Sequence, residues 1–411
     1  MKTGTRTAGL ALAVALIAAA GAATAGEVVK DGVLHVENGA TPAKGRRTVQ
    51  LQERWRVGGE DGEDFFGLIS QLTVGADGTI YLLDTRLSEV PVYSPDGERL
   101  GTLSHEGEGP GETRMPAHLL FMPDGSLGLV QIFPGRIVKV GLDNTPMGVI
   151  EFGDKTEGGF LRLLDCATQG DRLVVSGEAI KQNPPTGQVR TSYAAAYDAA
   201  GTEVVRYEAY TREMDFARFH WAEDDIQQID FRKLVVGTDG RVYIASSRNA
   251  YRINVYKPDG TPDRVITRAY ERRTRAAKEI ERLEATLATQ LAQLPNAKFT
   301  VSKTEPDIGA LRIGPDGNLW VETSRGGVDQ PEGVFYTWDV FDPDGHFVEQ
   351  VSAACPGDGE DDMMLWTGDG AIQVTGFVGA VRALQNGGAG DAEDDEEAAP
   401  MEVICYRVKG I

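Results

Sequence analysis

The side chains able to move protons or hold metals near neutral pH are few and scattered in this sequence. The histidines are His35, His105, His118, His220 and His346, and the cysteines are Cys166, Cys355 and Cys405. No Gly-x-Ser-x-Gly elbow, phosphate-cradling loop or paired-cysteine metal motif is present. Carboxylates abound, with 62 Asp and Glu, and hard divalent cations favour such oxygens. That abundance makes any single one a weak signal, so Glu112, Asp165 and Asp230 matter only if the fold gathers them. A third group is cationic and aromatic: Arg86, Arg212, His220, Trp221, Arg248 and Arg325. To these the chain adds a basic run of Arg268, Arg272, Arg273, Arg275, Lys278 and Arg282. Guanidinium groups recognise carboxylates and phosphates, and clustering them is unusual in a protein of formal charge -21. The overall charge repels nucleic acid and anionic membranes. The cysteines permit at most one bridge, with Cys355 and Cys405 the pair to consider. Cys166 lies in an apolar strand and reads as a buried, inert thiol.

Local patterning says what must position these groups. Lys2 and Arg6 precede an apolar run over residues 9–20 that ends in Ala23-Thr24-Ala25. This is a signal-peptide pattern over residues 1–25, placing a mature, monomeric product in the periplasm or outside a bacterial cell. No later segment is long and apolar enough for a membrane helix, so no membrane insertion is expected. Composition is that of a globular protein, 41% hydrophobic and 25% charged. Residues 26–411 then repeat one theme, an apolar β-rich stretch, an Asp-Gly turn and a second β-rich stretch. First turns fall at Asp77-Gly78, Asp124-Gly125, Gly170-Asp171, Asp239-Gly240, Asp316-Gly317 and Asp369-Gly370. Second turns fall at Asp96-Gly97, Asp143-Asn144, Ala200-Gly201, Asp259-Gly260 and Asp344-Gly345. Asp and Gly tolerate the positive φ of type I′ hairpin turns. Units of roughly 40–50 residues, some with insertions, predict an all-β, six-bladed propeller with four antiparallel strands per blade.

These residues resemble the NHL-type propellers, and most closely the bacterial exported six-bladed group, over nearly all of residues 26–411. The resemblance is carried by Asp31-Gly-Val-Leu-His-Val-Glu-Asn38, Asp77-Gly-Thr-Ile-Tyr-Leu-Leu-Asp84, Val92-Tyr-Ser-Pro-Asp-Gly97 and Gly107-Glu-Gly-Pro-Gly-Glu112. Asp239 to Ala245 and Arg252 to Gly260 match again. The group includes amidating lyases that hold zinc on the propeller axis through three histidines from separate blades, together with calcium. Here that set does not close. His35 and His346 fall in a tail and a turn, and the stretches equivalent to the one bearing His118, residues 68–73 and 229–234, hold no histidine. His118 therefore reads as a hydrogen-bonded channel residue. Lactonase-like propellers imply an axial divalent metal on Glu, Asn and Asp instead, for which Glu112, Asp165 and Asp230 are the candidates.

Only three strands of the last blade fall near the C-terminus, so a strand over residues 48–57 must complete it, with Val49, Leu51, Trp55 and Val57 on one face. Such closure hides edges that would template aggregation. Hairpin turns are short and share one rim. Long insertions, at residues 177–190, 211–229, 270–307, 323–334 and after Phe377, share the other. Loops on a rigid scaffold carry function, which nominates the insertion rim. Within the helical insertion, residues 270–307, leucines spaced by three and four predict an amphipathic helix over residues 270–294. Either the helix packs its leucines on the propeller and leaves its arginines solvated, or its basic start captures an anion, an external ligand or partner or the acidic loop after Gly387. The acidic loop, residues 387–400, has nothing to anchor it and reads as disordered. Two functions follow: a non-catalytic propeller binding a small-molecule or protein partner on the long-loop face, or an axial-metal hydrolase or lyase. No cofactor is evident from the sequence beyond that metal.

Overall fold

The computed structural model describes residues 26–153, 159–183, 185, 187–227, 229–294, 296–385 and 400–409. The expected signal peptide, and the acidic loop apart from Pro400, lie outside them. Short β-branched and aromatic runs between turn residues drive the backbone to pair with its nearest neighbour in sequence, hairpin after hairpin. Three strands come first: β1 (Gly26–Lys30), β2 (Val33–Asn38) and β3 (Arg46–Gly58). A four-stranded sheet follows, β4 (Ile69–Val74), β5 (Ile80–Asp84), β6 (Val90–Tyr93) and β7 (Arg99–Leu103). The next holds β8 (Pro116–Phe121), β9 (Leu127–Gln131), β10 (Arg136–Val140) and β11 (Pro146–Glu151). A longer one holds β12 (Phe160–Gln169), β13 (Arg172–Asn183), β14 (Gly187–Tyr197) and β15 (Glu203–Asp215).

Beyond these, β16 (His220–Ala222) leads to β17 (Leu234–Val236), β18 (Val242–Ile244), β19 (Arg252–Tyr256) and β20 (Pro262–Arg268). Helix α1 (Ala277–Gln290) is followed by β21 (Lys298–Thr300), which pairs in parallel with β16. Then come β22 (Ile308–Ile313), β23 (Leu319–Thr323), β24 (Tyr336–Phe341) and β25 (Phe347–Ala354). The chain ends in β26 (Met363–Trp366), β27 (Gly370–Val374), α2 (Phe377–Gln385) and β28 (Glu402–Val408). The β1–β2 hairpin extends the β17–β20 sheet through a parallel β2–β20 pair, and β3 joins β22–β25 to β26–β28.

The architecture is an all-β propeller, and its core lies between sheets. Tyr81, Leu83 and Val90 pack on Leu119, Leu129 and Val138. Val130 and Ile137 pack on Leu163 and Val175, then Val174 and Ala194 on Leu234 and Val242. Tyr243 and Ile253 meet Leu311 and Val321; Trp338 and Val351 meet Met364 and Ile404. The series returns to its start where Leu365, Ile372 and Val403 bury Leu82 and Tyr93. Side chains alternate along each strand, so a strand buried on both faces reads as a continuous apolar run, as β5 does.

The structure alters several expectations. The Asp-Gly turns are not type I′, which needs positive φ at both central residues. At the first, Gly78 alone has it, at 84°. Gly78 N donates to Gly75 O at 2.9 Å, Gly75 N to Thr79 O at 2.8 Å, and Asp77 Oδ1 accepts from Thr79 N at 3.0 Å. At this turn aspartate is thus used as a side-chain acceptor and only glycine takes the left-handed position, which Asn144 takes, at 67°, in the Asp143-Asn144 turn. In β3 a register shift falls between the Cys405–Trp55 and Tyr406–Glu53 pairs. That bulge turns the strand over, sending Val49 and Leu51 into one intersheet core and Trp55 and Val57 into the other, not onto one face.

The expected insertion at residues 177–190 is instead a long hairpin of β13 and β14. The stretch after Phe377 opens as a helix, because Phe377, Ala380, Val381 and Leu384 form an apolar stripe packed on the Leu365–Val403 core. Helix α1 is shorter than expected. Residues 270–276 stay extended, with Arg275 N donating to Lys303 O at 2.9 Å, and the helix begins where Glu279 Oε2 accepts from Ala276 N at 2.5 Å. Cys166, Cys355 and Cys405 are all free and buried, and burial raises each thiol above its ordinary value.

Candidate functional site

The first strands of successive sheets, β4, β8, β12, β17 and β22, together with Trp320 and Trp366, line one cavity of about 460 Å³ on the axis. Gln71 and Thr73 enter it from β4, His118 from β8, Asp165 and Thr168 from β12, Arg232 from just before β17, and Arg312 from β22. Asp165, 4% exposed, ties two strands to the turn before a third. Its Oδ1 lies 2.8 Å from His118 Nδ1 and accepts from Cys166 N at 2.9 Å, while Oδ2 accepts from Arg232 N at 3.0 Å. Gln71 Oε1 accepts from Leu119 N at 3.0 Å, and its Nε2 sits 2.9 Å from the same His118 Nδ1. Nδ1 therefore faces an acceptor, Asp165 Oδ1, and a donor, the Gln71 amide nitrogen, and the tautomer of His118 decides which of the two bonds it makes.

On the opposite side of the cavity Arg232 and Arg312 share one carboxylate, Glu322 of β23. Arg312 Nε donates to Glu322 Oε1 at 2.7 Å and Arg232 Nη2 to Oε2. Both arginines line the axial cavity and Glu322 does not. Arg232 Nε and Arg312 Nη2 are buried and have no hydrogen-bond partner among the described residues. Burial opposes ionisation of Glu322, but the guanidiniums of Arg232 and Arg312 outweigh it and hold the carboxyl down at about 2.

A folded-state value below the ordinary 4.5 contributes stability that is complete above pH 4.5 and is lost as pH falls toward 2. Urea unfolding of Glu322→Gln is therefore expected to show a flatter acid limb between those pH values than the parent protein. Parallel limbs would mean that the carboxylate is not held in this way.

The implied metal sites are not assembled. Among the described residues no three or more His, Cys, Asp or Glu side chains stand close enough to hold an ion. Glu112 sits in its own loop, accepting from Gly109 N at 2.7 Å with Oε1 2.9 Å from His105 Nε2. Asp230 lies in the turn before β17, where its carbonyl accepts from Lys233 N. His118 and Asp165 alone reach the axis, and they bond each other. This donor set fits neither the three-histidine zinc site nor the lactonase carboxylate set.

Of the cationic and aromatic candidates only His118 joins the axial group. Arg86 flanks the buried Asp84, its backbone N donating to Asp84 Oδ1 at 3.1 Å. His220 Nε2 lies 2.9 Å from Thr300 Oγ1, and Trp221 is paired with Phe299 across β16 and β21. Arg248 reaches Glu223 at 2.8 Å, Arg272 reaches Asp307 at 2.6 Å and Arg273 reaches Glu279 at 2.9 Å. Arg275 is buried between Glu223 at 2.6 Å and Glu305 at 2.7 Å, and Arg325 Nε donates to Glu271 O at 2.6 Å. Arg212 is 3.4 Å from Glu178. Arg272, Arg273 and Arg275 are thus met by internal carboxylates, Asp307, Glu279 and Glu305 within the same insertion and Glu223 in the loop before β17. Sequence reasoning missed Gln71, Arg232, Arg312 and Glu322. Their one signal is a long polar side chain inside or beside an otherwise apolar inner strand, as in Ala310-Leu-Arg-Ile313 and Leu319-Trp-Val-Glu-Thr323.

No family model matches the chain, and no curated protein matches its sequence. Similar solved structures include a member of the DUF4221 family from Bacteroides vulgatus, 11% identical with a TM-score of 0.48, covering 88% of this chain and 98% of that one. Regucalcin, a calcium-binding protein from Agrobacterium tumefaciens, is 12% identical with a TM-score of 0.41, covering 88% and 97%. Virginiamycin B lyase from Staphylococcus aureus is 8% identical with a TM-score of 0.41, covering 87% and 99%. At such identities and TM-scores, the chemistry of the site rests on this chain's own residues.

Proposed function

We propose that the chain is an exported, monomeric, six-bladed propeller of the NHL-like group that binds a small acceptor-bearing ligand in its axial cavity without transforming it. The blade count rests on the intersheet cores. They link β4–β7, β8–β11, β12–β15, β17–β20 and β22–β25 in turn, then return through β26–β28 completed by β3. Binding rests on one observation, an unpartnered guanidinium N–H on each of two arginines that line the cavity, Arg232 Nε and Arg312 Nη2. Unmade hydrogen bonds of this kind are costly, about 1–3 kcal/mol each, and a carboxylate or carbonyl of a ligand would satisfy them. The polar wall of Gln71, His118 and Asp165 would then orient the ligand's remaining groups. Arginines on the insertion rim serve to anchor the loops, so the ligand site moves from that rim to the axis.

A thermal-shift screen of small mono- and dicarboxylates, sugars and amides tests this reading. A compound that stabilises the parent protein is expected to bind at least about tenfold more weakly to Arg312→Lys, which keeps a charge beside Glu322 but loses the fork. Asp344→Asn, in a hairpin turn, should bind it unchanged. Equal binding by Arg312→Lys would remove the axial site, whereas turnover of the compound, or stoichiometric metal in the purified protein, would restore the enzyme reading.

A further inference from the structure

The β12–β15 sheet differs from its neighbours in length. Its strands run 10 to 13 residues, against 4 or 5 in β4–β7 apart from the six of β4. Its excess length carries an arrangement found nowhere else among the described residues. Arg162 of β12, Arg190 of β14 and Arg212 of β15 all converge on Glu178 of β13, at 3.4, 3.5 and 3.4 Å. Arg190 and Arg212 are direct cross-strand partners, and like charges so placed repel. The carboxylate is beneath the guanidiniums, since Glu178 keeps 8% of its side chain exposed while Arg162, Arg190 and Arg212 keep 38, 24 and 43%.

Among the described residues, one carboxylate against three guanidiniums leaves two positive charges uncompensated on a surface whose protein totals -21. Elsewhere the arginines are shared out with carboxylates, as Arg272 is with Asp307 and Arg275 with Glu223 and Glu305. The contacts to Glu178 are also long, against about 2.7–2.9 Å for an unstrained charge-assisted bond. One acid is stretched among three bases. Burial lowers the Arg190 guanidinium first, and repulsion from Arg212 and Arg162 adds to that against the attraction of Glu178.

We propose that this arginine triad is a binding site for a small dianionic oxyanion, a phosphate or sulfate group, held above Glu178 on the projecting end of the sheet. Planar guanidinium forks match tetrahedral oxyanions with paired bonds, and two negative charges would balance the local excess. A long polyanion is disfavoured by the charge of the rest of the surface. The site is separate from the axial cavity and stands whether or not that cavity binds anything.

The test is calorimetric titration of the full chain with sodium sulfate and with phenyl phosphate, ionic strength being held constant with chloride. Both anions are expected to bind saturably at one site, and a tighter fit of phenyl phosphate would identify an ester rather than the free ion as the source. In Arg190→Gln/Arg212→Gln the affinity should fall at least about tenfold. Glu178→Gln should bind several-fold more tightly, because the internal competitor has lost its charge. If the double variant does not fold, Arg212→Gln alone, the most exposed of the three, should still lose about threefold. Failure of either anion to saturate the parent protein would overturn the proposal. So would undiminished affinity in the arginine variants, or a Glu178→Gln protein that loses stability without binding anions more tightly.

Discussion

A chain lacking residues 26–58 is expected to accumulate as soluble aggregate or inclusion bodies rather than as a folded monomer. Strand β3 pairs antiparallel with β28, from Glu402–Gly58 to Val408–Leu51, and in parallel with β25, from Gln350–Arg46 to Ala354–Gln50. Its removal exposes two strand edges at once, and unpaired edges template association. It also strips Val49 and Leu51 from one core and Trp55 and Val57 from the next. Trp55 is a specific loss, because its Nε1 donates to Pro95 O at 2.9 Å and its ring lies on the Asp96-Gly97 turn. A Cβ on Gly97 would stand 2.6 Å from Trp55 Cγ. Size-exclusion chromatography and thermal unfolding decide the matter. A monomeric truncation that melts cooperatively near the parent temperature would show that the ring does not need this strand.

Replacing Asp84 by alanine should cost on the order of 4 kcal/mol or more, the largest effect expected of any single substitution here. Asp84 is fully buried at the end of β5. Its Oδ2 accepts from Gly67 N at 2.7 Å, and Oδ1 accepts from Leu68 N at 3.0 Å, Arg86 N at 3.1 Å and Leu87 N at 3.0 Å. One carboxylate thus satisfies four backbone donors from the segment entering β4 and the turn leaving β5. Without it the donors are orphaned where water has little access, and each unmet buried group costs about 1–3 kcal/mol. Asp84→Asn keeps an acceptor oxygen and should recover roughly half of the loss. Chemical denaturation of the three proteins at neutral pH provides the comparison, and an alanine variant within about 1 kcal/mol of the parent would show that the turn finds other acceptors.

Much of the fold is legible without coordinates because it is local. The Asp-Gly punctuation at Asp77-Gly78 and Asp316-Gly317, and the apolar runs of β5 and β9, depend on residues within a few positions of one another. Turn chemistry and side-chain alternation act at that range. The need for a strand near residues 48–57 is legible as well, since three strands at the C-terminus leave an open edge. The bulge in β3 is not, because the partner strand decides where the extra residue falls.

The site is another matter. Arg232 meets Glu322 ninety positions away, and Arg275 meets Glu223 across fifty-two. His118 and Asp165 meet only because β8 and β12 are neighbours around one axis. Composition marks the run from Arg268 to Arg282 as unusual, yet a charge in sequence carries no information about the carboxylate folded against it. Short-range propensity and patterning make the repeating hairpins readable from the residues, composition gives the net charge, and the open edge left by three C-terminal strands calls for a further strand near residues 48–57. Which polar groups reach the axis, which arginines are neutralised and which are left in excess emerge with the packed sheets. Those outcomes depend on the phase and register of strands far apart in sequence, and electrostatic pairing is fixed by distance in space.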